Sequence, residues 1–157
     1  MRLWHRELIP VLPKQQLLGQ WRELCCIASL LAVDHTPNHI LVNPIIDYPP
    51  EHFEAFCNLV IQEMEIRGME VSEDTLHKVQ DNVRAWRIYL NEEVPFDYVD
   101  RDWGMDLGEP IYFDWHNTRY LRQCYYNLEE KWDRGGITDD EFECVLKKVI
   151  EFKGVIV

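Results

Sequence analysis

Apolar side chains recur along much of this chain at steps of three and four residues, the spacing that lines up one face of an α-helix. Over residues 13–32 the apolar positions cover most of the helix circumference, because Ile27 and Leu30 join the side opposite the main apolar face. A helix of this kind is normally surrounded by other elements. The pattern therefore predicts a central helix with Trp21 in the middle of its buried face.

Four more helices are predicted by the same spacing and by the residues at their ends. After Phe53 the apolar positions fall at offsets of 3, 4, 7, 8 and 11 residues, and Gly68 ends that helix. Thr138 and the three acidic residues after it form a capping box that opens the last helix. The predicted helices are residues 53–68, a segment that starts after 72 and ends before 95, residues 121–134 and residues 138–150.

Two long connecting segments lie between these helices. Residues 34–50 are rich in proline and are predicted to cross the surface as a loop, with residues 40–42 as its buried anchor. Residues 91–116 hold prolines and glycines among many acidic and aromatic residues. This composition indicates a long loop, here called the acidic loop, with a short strand at residues 111–113.

The length of 157 residues indicates one domain that buries enough surface to fold without disulfides or a metal. We therefore predict an all-α, mainly helical protein. It forms a single compact domain over residues 1–157, in which an N-terminal arm of residues 1–12 packs on the central helix.

The cellular environment is predicted from the cysteines and the apolar segments. The five cysteines show no C-x-x-C spacing, which is typical of free thiols in a reducing compartment, and all except Cys26 are predicted to be buried. No apolar stretch is long enough to cross a membrane, and the proline-containing N-terminus does not fit a secretory signal. We expect an intracellular, cytoplasmic protein without membrane contact.

Acidic residues outnumber basic residues by 28 to 16, a net charge of −12, and the acidic loop alone carries eight acids and one base. Grooves that bind DNA normally present a basic stripe, which this chain lacks. The acidic loop is predicted to be a solvated surface, and the alternative is a face for a basic protein partner. Its candidate residues are Asp97, Asp100, Asp102 and Asp106, whose spacing does not match an EF-hand calcium loop.

The chain lacks the sequence signatures of phosphate loops, zinc sites and serine nucleophiles. The six histidines are dispersed. We interpret His35 and His39 as solvated loop residues in preference to a metal site. We expect no metal and no cofactor.

The order of segments in the N-terminal part is more specific. The chain opens with MRLW and carries LLGQWREL at residues 17–24, so a short arm precedes a central helix with an Arg-Glu-Leu run. Together with TPNH at residues 36–39 and the segment 116–128, this order resembles the pyrimidine-dimer DNA glycosylase family, the endonuclease V type of phage repair enzymes. The resemblance covers roughly residues 1–68 and 110–134, and it marks residues 72–109 as an insertion.

The resemblance implies a bifunctional glycosylase and AP lyase that acts on damaged pyrimidines in DNA. In that family the terminal α-amine attacks C1′ of the damaged nucleotide, the base leaves, an imine forms and the strand breaks by β-elimination. An α-amine suits this role because an ordinary pKa near ~8 leaves roughly a tenth of such groups unprotonated at neutral pH, far more than for a lysine. The resemblance places the nucleophile at Met1, or at Arg2 where Met1 is removed.

The same resemblance assigns Glu23 as the catalytic carboxylate and Arg22 as a contact for phosphate or substrate. Gly19 lies one turn before Glu23, where the missing side chain allows a ligand or the arm to approach closely. Gln16 stands at the family's histidine position. Arg6 is one of the arginines of the N-terminal third, the region that holds arginines but few acidic residues. These two complete the predicted substrate-binding set.

Departures from the family pattern leave a second interpretation open. Leu3 and Cys26 stand where the family has arginines, and the chain is acidic. The alternative is a catalytically inactive relative, phage-encoded, that serves as a nucleotide- or protein-binding module. Attack at C1′ requires the base to leave the stack, and Trp4, Trp103 and Trp115 are candidates to line the resulting space, with ordinary core packing as the other explanation.

Overall fold

The computed structural model describes residues 1–95, 97–98, 103–104 and 107–152. All regular secondary structure in these residues is helical, so the prediction of a mainly α-helical protein is confirmed. The α-helices are α1 (Lys14–Val33), α2 (Pro50–Ile66), α3 (Glu73–Tyr89), α4 (Thr118–Asp133) and α5 (Asp139–Glu151), and 3-10 helices lie at Arg6–Val11 and Asn43–Asp47.

The ends of the helices follow local signals in the sequence. Ser72 caps α3 and Thr138 caps α5, each accepting a hydrogen bond from the backbone N–H three residues later. The predicted capping box of α5 is present. α2 ends before Gly68, whose φ of +74° lies in the region that favours glycine. α4 begins earlier than predicted, at Thr118, because Asn117 caps it.

α1 is the central helix, as predicted. α2 and α3 pack along it, and the arm contributes buried side chains to the same core. Trp21 is 7% exposed and Ile27 is fully buried, as expected for a helix that is covered on several sides. α4 and α5 pack on each other, and α5 also packs on the 3-10 helix of the arm.

Arg87 in α3 connects α2 to the first part of the acidic loop. Its guanidinium forms ion pairs with Glu51 and Glu54 of α2 and with Glu92, and it donates to the Tyr98 hydroxyl at 3.2 Å. Burial raises the pKa of the Glu54 carboxyl, and hydrogen bonds from Tyr98 and Arg87 oppose that rise.

Two local predictions about the connecting segments are wrong. Residues 111–113 form a turn because Tyr112 has a φ of +51°, and the described residues contain no strand with which the segment could pair. In the first loop only Val42 of the predicted anchor is buried, whereas Ile40 is 84% exposed. The second buried residue that anchors this loop is Ile45, which lies in the 3-10 helix at Asn43–Asp47.

All five cysteines are free. Cys57 and Cys124 are buried as predicted, and Cys25 is half-buried. The prediction for Cys144 is wrong, because this residue lies two positions after the buried Phe142 and therefore on the solvent side of α5.

Of the candidate residues in the acidic loop, Asp97 is exposed, and Asp100, Asp102 and Asp106 lie outside the described residues. Among the helices of the described ranges, none combines the length and the apolar character that a membrane span requires.

Candidate active site

The N-terminus of the chain lies against a carboxylate of the central helix. The amine nitrogen of Met1 is 4.0 Å from Oε1 of Glu23, and the backbone N–H of Arg2 donates to Oε2 of the same carboxylate at 3.1 Å. The Glu23 side chain keeps 35% of its surface exposed. The structure thus brings together the three residues that the sequence analysis assigned to catalysis, at a position that solvent reaches.

Gln20 lies on α1 about one turn before Glu23, and its side chain holds the arm in place through two hydrogen bonds. Its side-chain amide donates to the Arg2 carbonyl at 2.9 Å and accepts the Trp4 N–H at 2.7 Å. The side chain is almost fully buried, so both hydrogen bonds are shielded from water. On the other side of the arm, the Tyr120 hydroxyl of α4 donates to the Leu3 carbonyl.

Sequence analysis did not identify Gln20 or Tyr120. One signal was present for Gln20: a polar residue stands beside Trp21 and three positions after Leu17, within the buried face of the helix. A buried amide on such a face normally has hydrogen-bond partners, and the arm supplies them. No comparable signal marks Tyr120, because its partner is 117 residues away in the sequence.

The surface one turn before Glu23 is open. A Cβ atom built on Gly19 would meet nothing within 4 Å, so this position leaves room for a ligand beside the carboxylate. Gln16 continues the same side of α1, and its Oε1 is buried without a hydrogen-bond partner in the described part of the chain. An unpartnered buried acceptor is costly, and a donor from a bound molecule would remove that cost.

The three arginines near the site differ in what they contact. Arg22 is exposed and forms no ion pair with any residue that the structure describes. The guanidinium of Arg2 lies over the Trp4 ring at 5.7 Å from its centroid. Arg6 donates from Nη1 to the carbonyls of residues 111 and 116, at 2.9 and 3.0 Å. Arg22 is therefore the arginine of this group that is free to meet an anion, while Arg6 holds a distant turn.

A sequence model of pyrimidine dimer DNA glycosylase matches residues 1–77 of the chain. Residues 1–77 belong to the pyrimidine dimer DNA glycosylase family. The match includes the arm, all of α1 and all of α2, and it confirms the resemblance in the N-terminal half. No curated protein and no solved structure matches the chain. The resemblance at residues 110–134 and the insertion at 72–109 stay predictions.

Two buried histidines, one in the arm and one just before α4, support the base of the arm. His116 Nδ1 accepts the Arg6 N–H at 3.0 Å, and His5 Nε2 lies 2.8 Å from the His116 carbonyl. His5 Nδ1 accepts the Glu7 N–H, so Nε2 carries the proton and donates.

Burial, followed by the positive charge of Arg6, lowers the pKa of His5 to about 4. Burial and then the neighbouring His5 and Arg6 lower the pKa of His116 to about 2. Both rings are neutral at physiological pH.

The three tryptophans considered for the base-binding space lie in different surroundings. Trp4 is 6% exposed and belongs to the core beneath the arm, which supports the packing explanation. Trp103 is half-buried and donates from its indole to the Tyr98 hydroxyl at 3.2 Å. Trp115 is half-buried and lines a surface cavity together with Tyr48 and Phe113.

The described residues contain no cluster of three or more histidine, cysteine, aspartate or glutamate side chains arranged to hold a metal ion. His35 stacks on the Tyr89 ring with centroids 3.5 Å apart, and His39 Nδ1 accepts the Leu41 N–H at 3.2 Å.

Proposed function

We propose that the protein is a DNA glycosylase and AP lyase that acts on damaged pyrimidines, with the amine of Met1 as nucleophile and Glu23 as the catalytic carboxylate. The observation that carries the proposal is the position of the Met1 nitrogen 4.0 Å from Glu23 Oε1. Membership of residues 1–77 in the glycosylase family supports damaged DNA as the substrate.

The proposed reaction begins when the unprotonated amine forms a bond to C1′ of the damaged nucleotide. The bond from C1′ to the base breaks, and the base leaves with that electron pair and a proton. Opening of the sugar ring then gives an iminium ion between the amine nitrogen and C1′. Removal of a proton from C2′ expels the phosphate oxygen from C3′, which breaks the strand.

Glu23 can serve two steps of this reaction. Its carboxylate oxygen lies 4.0 Å from the amine nitrogen, and a small approach in the complex with substrate would bring the two to hydrogen-bond distance, where the carboxylate takes the proton that the amine must lose before attack. The same negative charge stabilises the cationic sugar and the iminium ion that follow. Because Oε2 accepts the Arg2 N–H at 3.1 Å, the carboxylate is held in a fixed position relative to the amine.

The substrate side of the proposed site is the open face of α1. Gly19 leaves space beside the carboxylate, Gln16 offers an unpartnered buried acceptor, and Arg22 presents an exposed cation for a phosphate. In this proposal Arg6 acts through the turn that it holds and not through direct contact with DNA.

Borohydride trapping tests the proposal, because borohydride reduces an imine to a stable covalent amine. The protein is incubated at low salt with duplex DNA that carries an abasic site or a pyrimidine dimer. We expect a covalent adduct that acetylation of the N-terminus abolishes and that Glu23→Gln strongly reduces. Glu70→Gln, which changes an exposed glutamate far along the chain from the site, is the matched control and should trap at the wild-type rate.

The net charge of −12 weighs against binding to DNA, and the second candidate is an inactive relative that binds a nucleotide or a protein. The trapping experiment separates the two. An absence of adduct at every salt concentration, with the variants correctly folded, would remove the enzyme and leave the binding module.

A further inference from the structure

A surface cavity of about 460 Å³ lies between the 3-10 helix before α2 and the turn before α4. Tyr48, Phe113 and Trp115 form aromatic walls, and Asp47 and Asp114 also line it. Two prolines complete the lining, and no described residue in it carries a positive charge. The volume lies within the range of small-molecule sites, which are roughly 300–1,000 Å³.

The aromatic walls are held in place before any ligand arrives. Tyr112 has a φ of +51°, and its N–H donates to His52 Nδ1 at 2.9 Å, which fixes the turn. Phe113 follows directly, is 51% exposed and stands at 80° to the Tyr48 ring, with centroids 5.7 Å apart. The Tyr48 hydroxyl accepts the Trp115 N–H at 2.8 Å, which joins the two sides of the cavity. A ligand therefore meets walls that need little further ordering.

The charges at the cavity favour a cation. The carboxylates of Asp47 and Asp114 are exposed, and neither forms an ion pair with a residue in the described ranges. Carboxylates and the negative faces of aromatic rings both attract positive charge, and the carboxylates repel phosphate. Arg6 contacts the same turn, but its guanidinium donates to two backbone carbonyls and lies 3.8 Å from the Glu7 carboxylate, which offsets its charge.

Elsewhere the chain uses the same two kinds of group to hold one of its own arginines. The guanidinium of Arg87 lies over the Tyr98 ring, 5.5 Å from its centroid, and forms an ion pair with Glu54. The cavity presents aromatic rings and carboxylates at the surface, and none of the described arginines lines it. The matching group would then come from another molecule.

We propose that this cavity binds an arginine side chain of a basic protein partner. A guanidinium is planar, so it stacks on an aromatic wall while its N–H groups donate in pairs to a carboxylate. It is also more weakly hydrated than a lysine ammonium group, so it leaves water for aromatic walls more readily. A basic partner complements the net charge of −12, and the exposed Phe113 ring is accessible to a side chain that projects from another protein.

An NMR titration of the full-length protein at low salt tests the proposal with a blocked peptide that carries one arginine between glycines. The control peptides carry citrulline, which has a similar shape without the charge, or lysine, which has the charge without the planar fork. We expect the arginine peptide to shift the Trp115 backbone amide saturably and to bind about tenfold more tightly than the citrulline peptide. The lysine peptide should lie between them. The indole N–H of Trp132, on α4 outside the cavity, should not shift.

Variants of one aromatic wall test the stacking. Phe113→Ala should weaken binding of the arginine peptide about two- to fivefold, the size of a cation–π contact at an exposed site. Phe113→Tyr keeps an aromatic face and should retain the affinity. Tyr126→Ala removes a similarly exposed ring from α4, outside the cavity, and should have no effect. Unchanged binding in Phe113→Ala, with the melting temperature preserved, would contradict the proposal.

Variants of the carboxylates test the charge. Asp47→Asn combined with Asp114→Asn should weaken the arginine peptide and reduce the dependence of its affinity on salt. Asp81→Asn combined with Asp133→Asn changes the net charge equally at exposed positions outside the cavity, and should leave the affinity close to that of the wild type. Equal weakening in both double variants would show that the peptide responds only to the overall charge, which would overturn the site.

Three other results would overturn the assignment. Equal affinities for the arginine and citrulline peptides would show that the cavity does not select a cation. Tighter binding of choline or of the lysine peptide would show that a different cation is preferred. Sedimentation of the protein alone tests whether the arginine comes from a second copy of this chain. A dimer that dissociates in the Asp47→Asn and Asp114→Asn double variant would replace the basic partner by that copy.

This proposal and the glycosylase proposal fail in different experiments, because the cavity includes neither Met1 nor Glu23. If the arginine peptide binds as expected but no adduct is trapped, the arginine site stands and the reaction is lost. If the adduct forms but the peptide does not bind, the reaction stands and the arginine site is lost.

Discussion

The side-chain oxygen of Gln20 accepts the backbone N–H of Trp4 at 2.7 Å, and this contact holds the arm against α1 three residues before Glu23. The amide nitrogen of the same residue holds the Arg2 carbonyl at 2.9 Å. Two residues of the arm are thus bound through one buried amide, in the way that a neighbouring strand would bind them. The arm has no other partner on α1 for these backbone groups among the described residues.

Gln20→Met should free the arm. The substitution keeps the approximate volume of the side chain and removes both hydrogen bonds, leaving the Trp4 N–H and the Arg2 carbonyl without partners. We expect a loss of about 1–3 kcal/mol in the free energy of unfolding for such unsatisfied groups. Hydrogen exchange of the Trp4 amide should become much faster, and imine trapping should slow while DNA affinity is retained. Gln15→Met changes an exposed position of the same helix and is the control. An unchanged exchange rate of the Trp4 amide in Gln20→Met would argue that Gln20 does not position the arm.

Trp21→Ala should destabilise the whole domain. The ring is 7% exposed in the middle of the buried face of α1, so its removal leaves a large cavity. Truncations of this kind cost about 3–5 kcal/mol. Chemical denaturation measures the loss, and Tyr126→Ala, an exposed aromatic truncation, should change stability by less than about 0.5 kcal/mol. Melting of Trp21→Ala at the wild-type temperature would be inconsistent with a buried ring.

The stability of the protein should fall as the pH decreases below about 6.5. The pKa of His5 is lowered to about 4 and that of His116 to about 2, so the unfolded chain binds protons at these groups before the folded chain does. Each histidine then costs up to about 1.4 kcal/mol per pH unit between the unfolded and folded pKa values. The window extends from about 6.5 down to about 4 for His5 and further for His116.

Urea denaturation at pH 7, 6 and 5 measures this slope. His116→Gln should reduce it, because one buried neutral histidine is removed. His77→Gln changes an exposed histidine and should leave the slope unchanged. Equal slopes in His116→Gln and the wild type would show that the buried histidine does not couple folding to protons.

Arg87→Met should cost far more stability than the loss of an exposed ion pair. The side chains of Arg87 and Glu54 are 12% and 5% exposed, so the substitution leaves a buried carboxylate without its cation. Breaking one side of a buried pair costs about 3–5 kcal/mol. Arg134→Met removes an ion pair with Glu130 in which both side chains are mostly exposed, and should cost less than about 1 kcal/mol. Similar denaturation midpoints for the two variants would rule out the buried network as a source of stability.

Sequence alone determined the features that depend on near neighbours. The spacing of apolar residues placed the helices, and Ser72 and Thr138 marked two of their starts, because capping involves residues three positions apart. The order of the arm and the Arg-Glu-Leu run identified the family in the N-terminal half, and it indicated Glu23 as the residue to examine.

Tertiary structure decided the features that depend on residues far apart in the chain. The predicted strand at residues 111–113 is a turn because His52, sixty residues earlier, binds the Tyr112 N–H. Tyr120 reaches the Leu3 carbonyl across 117 residues, and no local pattern encodes such a contact. Hydrophobic periodicity reports which side of a helix is buried, but a hydrogen bond depends on atomic positions that only the packed core establishes.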